Sequence, residues 1–286
     1  MHHTLYATLV FGAGTSYGII STLVKLSYRA GFSVNDVSAV QYIFGFLVLW
    51  SLWLLRVRRL PPVKTGLSFF ILGITMAGTT LMYNTALETL PASLAVIFLF
   101  QSIWLGSVAE SILQRKFPDK KRILSIAIVL FGTVLAAGVI GKSVPFAFDT
   151  GMLWGLGAAL SYTTEITCLN RLGKEVHPIT KSSLMTTGAL ICACIFLPPS
   201  FLEEPQQLAH IFPYGALLTF FGVFLPPLLL GIGMPHISPG LGSLLAAAEL
   251  PAALFFSLLL LGESITALQI FGMVLILSGI WIGNRK

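Results

Sequence analysis

The amino-acid sequence predicts an all-α polytopic membrane protein, with ten transmembrane helices arranged as two inverted five-helix repeats. Three observations lead there. The first is composition: 56% of the 286 residues are hydrophobic and only 10% charged, with a mean hydropathy of +0.89, where a water-soluble domain carries about 25% charged residues. The second is that apolar stretches of about 20 residues, the length that crosses a bilayer, follow one another along almost the whole chain. The third is internal repetition. LPASLAVIFLFQSIWLG around Pro91 is answered by SPGLGSLLAAAELPAAL around Pro239; a shift of 148 aligns Pro91 with Pro239 and Gln101 with Glu249, and a shift of 145 aligns Ser16-Tyr17 with Ser161-Tyr162. Five spans per half is an odd number, so the two copies have opposite orientation, as in secondary transporters with a site near the midplane.

The spans are expected at 5–28, 36–55, 65–88, 91–113, 121–141, 149–171, 178–201, 208–233, 239–261 and 265–284. Turn chemistry separates them at Arg29-Ala30-Gly31, Leu60-Pro61-Pro62, Lys116-Phe117-Pro118-Asp119, Pro198-Pro199 and Ile237-Ser238-Pro239-Gly240. The halves divide within Gly141–Phe148, giving repeats 1–143 and 144–286. The first span is expected to belong to the fold and not to be a cleavable signal, because Met1-His2-His3-Thr4 has no basic residue and the span pairs with the sixth.

Charge sorting supports this count. With the N-terminus in the cytoplasm, every basic residue except Lys25, Arg29 and Lys142 falls in or beside a cytoplasmic connection or the C-terminus, including Arg115, Lys116, Lys120, Lys121, Arg122, Arg171, Lys174 and Lys181. Asp36, Glu88, Asp149, Glu203, Glu204 and Glu263 fall on the other side. This is the positive-inside pattern; it places both termini in the cytoplasm and the chain in the cytoplasmic (inner) membrane.

Other chemistries lack a signature. No GxxxxGK[ST] loop is present, so ATP does not drive the protein directly, and no HExxH or Ser/His/Asp arrangement stands out. His177, His210 and His236 are dispersed at span ends. Cys168, Cys192 and Cys194 lie inside apolar spans without metal-ligand spacing and read as small packing residues. No basic stripe with interleaved aromatics suggests nucleic acid. The protein is expected to be no enzyme and to hold no metal and no cofactor.

Function is sought among polar groups inside the membrane, where a carboxylate costs at least about 2.5 kcal/mol. Glu249 lies about ten residues into its span, about 15 Å deep, among Gly240, Gly242, Ser243, Ala246, Ala247, Ala248, Ala252 and Ala253, and Pro251 cannot donate to the Ala247 carbonyl. Its repeat partner is Gln101. Glu165, in SYTTEITCLNR, shares a helix face with Tyr162; its alternative role is a packing hydrogen bond, or a pair with Lys25 or Arg171. The candidate substrate-binding set is Glu249, Gln101, Tyr17, Tyr162, Glu165, Trp104, Tyr83, Asn84 and Tyr42, with Glu249 and Glu165 as coupling residues. Glu110 reads as an interfacial ion pair with the following basic loop, and Lys25 as a snorkelling residue or a counter-charge. Trp50, Trp53, Trp154 and Trp281 read as belt or lipid-facing residues. Kinks are expected at matched depth, at Gly78-Thr79-Thr80 and Pro226-Pro227, and the GxxxG spacings Gly151/Gly155 and Gly279/Gly283 are expected to pack internally.

Leu261-Gly262-Glu263 leading into ALQIFGMVLILSGIWIG, in a chain of two five-span repeats, resembles the drug/metabolite transporter superfamily, EamA type. Arg115-Lys116 stands where the first repeat would carry the Gly-Glu pair. The resemblance implies a ten-helix carrier with cytoplasmic termini whose relatives mostly export small metabolites such as amino acids. The expected function is a secondary transporter of an amino-acid-like or cationic, amphipathic metabolite, working by alternating access, with protons as coupling ions. The alternatives are an uncoupled exchanger or facilitator and a non-transporting membrane partner protein. The expected partners are the small-molecule substrate, protons and the lipid bilayer, and the expected state is a monomer or weak homodimer.

Overall fold

The structure, a computed structural model, describes residues 2–90, 92–138, 150–196, 205–262 and 265–284. The expected boundary Gly141–Phe148, Pro91, Pro198-Pro199, Glu203, Glu204 and Glu263 lie outside the described residues, as do the side chains of Asn84 and Glu88. The described chain is helical from end to end: α1 (His2–Arg29), α2 (Val34–Arg56), α3 (Val63–Thr89), α4 (Ala92–Leu99), α5 (Ser102–Gln114), α6 (Lys120–Ala136), α7 (Thr150–Arg171), α8 (Pro178–Phe196), α9 (Pro205–Leu218), α10 (Leu225–Gly233), α11 (Pro239–Ala246), α12 (Glu249–Phe256) and α13 (Ala267–Asn284). Among the described residues, eight segments are long and apolar enough to cross a membrane; α6 and α7 are not among them.

The helix ends follow local chemistry. Gly31, at φ 92°, makes the α1–α2 turn in a conformation glycine adopts at little cost. Ser33 opens α2 with a capping box, its hydroxyl accepting from the Asp36 amide at 3.1 Å. Ser238 caps α11, with Pro239 in the first turn.

Eight rods close into a ring. Neighbour follows neighbour from α4–α5 to α7, α3, α8, α2, α9–α10, α1 and α11–α12, and α11 returns to α5. The α6–α13 pair packs outside the ring against its broken rods. Exchanging α1 with α7, α2 with α8, α3 with α9–α10 and α4–α5 with α11–α12 maps this order of neighbours onto itself. Two hydrogen bonds repeat the relation atom for atom: the Ser16 hydroxyl donates to the Phe221 carbonyl at 2.7 Å, and the Ser161 hydroxyl to the Thr75 carbonyl at 2.8 Å. Each joins one half to the other. Ser16→Ala and Ser161→Ala are each expected to cost about 0.6 kcal/mol, the average of such interhelical bonds in a membrane. Unfolding in a mixed-detergent titration of the two single variants and the double variant checks this.

Small residues set the closest approaches. Gly14 and Gly18 of α1 lie against Ala246 and Glu249, Gly73 and Gly188 join α3 to α8, and Gly132 and Gly272 join α6 to α13. The expected GxxxG pairs do pack internally, Gly151 and Gly155 on Thr89, Leu90 and Phe98, and Gly279 and Gly283 on Val129, Ser125 and Leu244.

Two expectations are corrected. α3 runs unbroken through Gly78-Thr79-Thr80, because the Thr79 and Thr80 hydroxyls bond back to Thr75 and Met76 carbonyls without disturbing the ladder. Its counterpart does deviate: Thr219–Phe224 forms a π-helical turn just before Pro226-Pro227, whose missing N–H groups cannot serve the carbonyls one turn back. The full breaks lie elsewhere, at Phe100-Gln101 between α4 and α5 and at Ala247-Ala248 between α11 and α12. Trp50 is no lipid-facing belt residue either: its indole donates to the Thr187 hydroxyl of α8 at 2.9 Å. Trp154 and Trp281 are exposed, as a lipid-facing position requires.

Candidate functional site

The two broken rods stand side by side and carry Gln101 and Glu249 at their breaks. At the first, the Gln101 side-chain amide donates at 2.9 Å to the Ile97 carbonyl, which the backbone has released, and its oxygen accepts from the Trp104 indole at 2.7 Å. Gln101 and Trp104 thus form a pair of their own that steadies the break, and Trp104 is exposed. At the second break Pro251 withholds its donor and Glu249 becomes the first residue of α12.

Glu249 joins a cluster assembled from five staves of the ring. Gly18 of α1 packs directly on the Glu249 backbone, which brings Tyr17, its neighbour in sequence, beside the break. Tyr17 lies within electrostatic reach of Glu165, Tyr162, Tyr42 and Glu249; Tyr162 within reach of both carboxylates; Tyr83 within reach of Glu249. Tyr42 is anchored by a 3.0 Å hydrogen bond with the Thr80 hydroxyl. Glu165 is 2% exposed. Its Oε1 and the Tyr162 hydroxyl are both buried without a hydrogen-bond partner, and buried polar atoms in that state call for a ligand, a proton or water. Among the described residues neither Glu165 nor Glu249 forms a salt bridge, so the pairs of Glu165 with Lys25 or Arg171 are not formed. Of the expected set, Tyr17, Tyr42, Tyr83, Tyr162, Glu165 and Glu249 come together, while Gln101 and Trp104 bond to each other. A cleft of about 560 Å³ between Ala30-Gly31-Phe32 and His210 and Tyr214 lies elsewhere, and no carboxylate is among its described lining residues.

One end of the ring is shut. It is the end that carries the basic connections, and the segment Gly231–Gly240 fills it. α7 donates from the Asn170 side chain to the Met234 and Ile237 carbonyls, the Met234 bond at 2.8 Å. α8 donates from Lys181 to the Gly231 carbonyl at 3.2 Å. α1 stacks Tyr6 on His236, with ring centres 3.8 Å apart. Glu110 accepts from the Gly240 amide at 3.1 Å, capping α11 from the other half, and faces Arg122 at 3.8 Å, while Arg122 donates to Ser238 at 3.4 Å. The Glu110 ion pair was legible in the sequence; its grip on α11 was not. α5 and α11 pack tightly at this end, whereas at the opposite end α4 lies on α7 and α12 on α1, with no comparable contact between them among the described residues. The contact between the broken rods is therefore concentrated at the basic end. Glu110→Ala removes a charge-assisted bond of about 1.5–3 kcal/mol, roughly ten- to a hundredfold in the closed-to-open ratio. Hydrogen exchange of the amides of residues 240–243 is expected to accelerate accordingly.

Sequence reading missed the Gly14/Gly18 pair, the clamp residues Asn170, Tyr6 and His236, and the burial of Lys181, which is a helix residue and not part of a solvated connection. The GxxxG spacing of Gly14-Thr15-Ser16-Tyr17-Gly18 was the available signal for the first.

The EamA-like transporter family matches the chain twice in tandem, over residues 4–138 and 149–285. The chain belongs to this family. It is therefore a transporter of the drug/metabolite type and not an enzyme, and its apolar helices make it a multi-pass membrane protein. This EamA-like chain is 25% identical to the threonine/homoserine exporter RhtA of Escherichia coli K12 over 245 residues, 83% of this chain and 77% of that one. It is 23% identical to an uncharacterized transporter of Archaeoglobus fulgidus over 270 residues, 94% and 92% of the two chains. A crystal structure 18% identical in sequence has the same fold, with a TM-score of 0.75 over 97% of this chain and 95% of that one.

Proposed function

We propose that this EamA-like protein is a ten-helix secondary carrier of two inverted repeats, 1–143 and 144–286, that exports a small amino-acid-like or cationic metabolite across the cytoplasmic membrane by alternating access. Both termini face the cytoplasm, so the shut, basic end is the cytoplasmic one and the structure is the outward-open state. One observation carries the reading: two carboxylates, Glu165 and Glu249, stand among the hydroxyls of Tyr17, Tyr42, Tyr83 and Tyr162, and among the described residues neither is in a salt bridge. Such a site takes an ammonium group or protons, and each excludes the other, which couples outward substrate movement to inward proton movement. The tandem family match supports the repeats, the exporter RhtA supports export, and the basic connections support the orientation.

The test is uptake by the reconstituted protein from a panel of amino acids, amines and organic anions, with L-threonine and L-homoserine included, under an imposed pH gradient. Substrate flux that follows the proton gradient supports the reading. Flux that ignores it favours the uncoupled exchanger, and absence of flux across the whole panel favours a non-transporting partner. Normal flux and unchanged pH dependence in Glu249→Gln would sink the proposed site.

A further inference from the structure

Lys181 sits in the second turn of α8 and is 2% exposed. Its ammonium donates to the Gly231 carbonyl, and its Cδ lies near Gly231. Among the described residues no carboxylate forms a salt bridge with it. The same stretch of α8 carries other buried polar groups: the hydroxyls of Thr180, Ser182 and Thr186 are buried and, among the described residues, have no hydrogen-bond partner. Lysine is almost never fully buried unless paired. A lone ammonium removed from water costs several kcal/mol, which one carbonyl does not repay.

The carbonyl it holds belongs to the segment that shuts the basic end. Opening that end requires Gly231–Gly240 to withdraw from α5, α7 and α8. The withdrawal takes away the Gly231 carbonyl and leaves the ammonium on the wall of the way in. We propose that Lys181 then binds the carboxylate of the transported molecule, so that the substrate is an amino-acid-like zwitterion and not a simple amine. This rests on the transport reading above and narrows it. Positive Lys181 on the basic side and negative Glu165 and Glu249 in the central cluster place opposite charges along the path, so that one group of a zwitterion is met first and the other deeper in.

Lys181→Met and Lys181→Arg, reconstituted and assayed in everted and right-side-out vesicles, test this with two probes. L-threonine has both charges; L-threoninamide keeps the ammonium and side chain and lacks the carboxylate. Lys181→Met is expected to raise the threonine KM about tenfold or more at the basic face, the loss of a charge-assisted bond, and to leave it unchanged at the opposite face. Lys181→Arg retains most of the affinity, and the threoninamide KM does not move. Equal threonine KM values in wild type and Lys181→Met overturn the inference while leaving the transport reading standing. So does a parallel rise for threoninamide, which marks a damaged gate. Should Lys181→Met not fold, wild type decides: equal basic-face KM values for the two probes overturn the inference. If wild type moves no member of the amino-acid panel, the transport reading falls and this inference falls with it.

Discussion

Glu165→Gln is expected to give a folded protein that no longer accumulates substrate against its gradient. The carboxylate is buried in the ring, and among the described residues one of its oxygens has no hydrogen-bond partner and no salt bridge neutralises it. A carboxamide fills the same volume and cannot bind or release a proton, so packing survives while coupling is lost. Glu249→Gln acts on the same cluster from the other half, at a helix break that its backbone, held by Gly18, helps to define. Each substitution removes a charge-assisted contact of about 1.5–3 kcal/mol, so substrate binding should weaken roughly ten- to a hundredfold. Proton-driven uptake and substrate-induced thermal stabilisation separate the two losses. If proton-driven accumulation survives in both variants, the carboxylates are packing residues and the mechanism is wrong.

Gly73→Ala is expected to have the largest effect on folding. A Cβ at Gly73 would lie 1.8 Å from the Met185 carbonyl oxygen, and one at Gly188 would lie 2.0 Å from the Phe70 oxygen. The obstacle on both sides is backbone, so no side-chain rotation relieves it and α3 must separate from α8. Overpacking costs about 1–3 kcal/mol in ordinary cores and occasionally more; here the contact runs along a seam of the ring and the upper end of that range is expected. Monodispersity and melting temperature in detergent measure it. Gly12→Ala is the matched control: its nearest neighbour is the Leu229 Cδ1 atom at 3.6 Å, and alanine favours the helix, so its melting temperature should hold or rise.

Both predictions depend on features that the sequence revealed unevenly. The repeat alignment matched Ser16-Tyr17 with Ser161-Tyr162, and the structure uses both serines alike, as bonds from one half to the third helix of the other. The alignment paired Gln101 with Glu249 as polar residues at similar depth, but it did not predict the helix interruption that the structure places at each. It did not reveal that the two break residues do different work, Gln101 spending its amide on its own helix and Glu249 entering the tyrosine cluster. The expected kink in α3 failed because threonines bond back within the helix, where Pro226 and Pro227 disrupt it.

The sequence by itself determined that the chain is a helical, multi-pass membrane protein and which few residues bring charge into it. These are properties of local composition, and the bilayer reads them locally. Only the tertiary structure decided which polar groups share an interior, that Lys181 is buried, and that Glu110 caps a helix of the other half. In water an amphipathic helix advertises its inner face by periodic polarity. In lipid both the outer and the packed faces are apolar, and close approach depends on single glycines and unpaired carbonyls, so facing is settled when the rods meet.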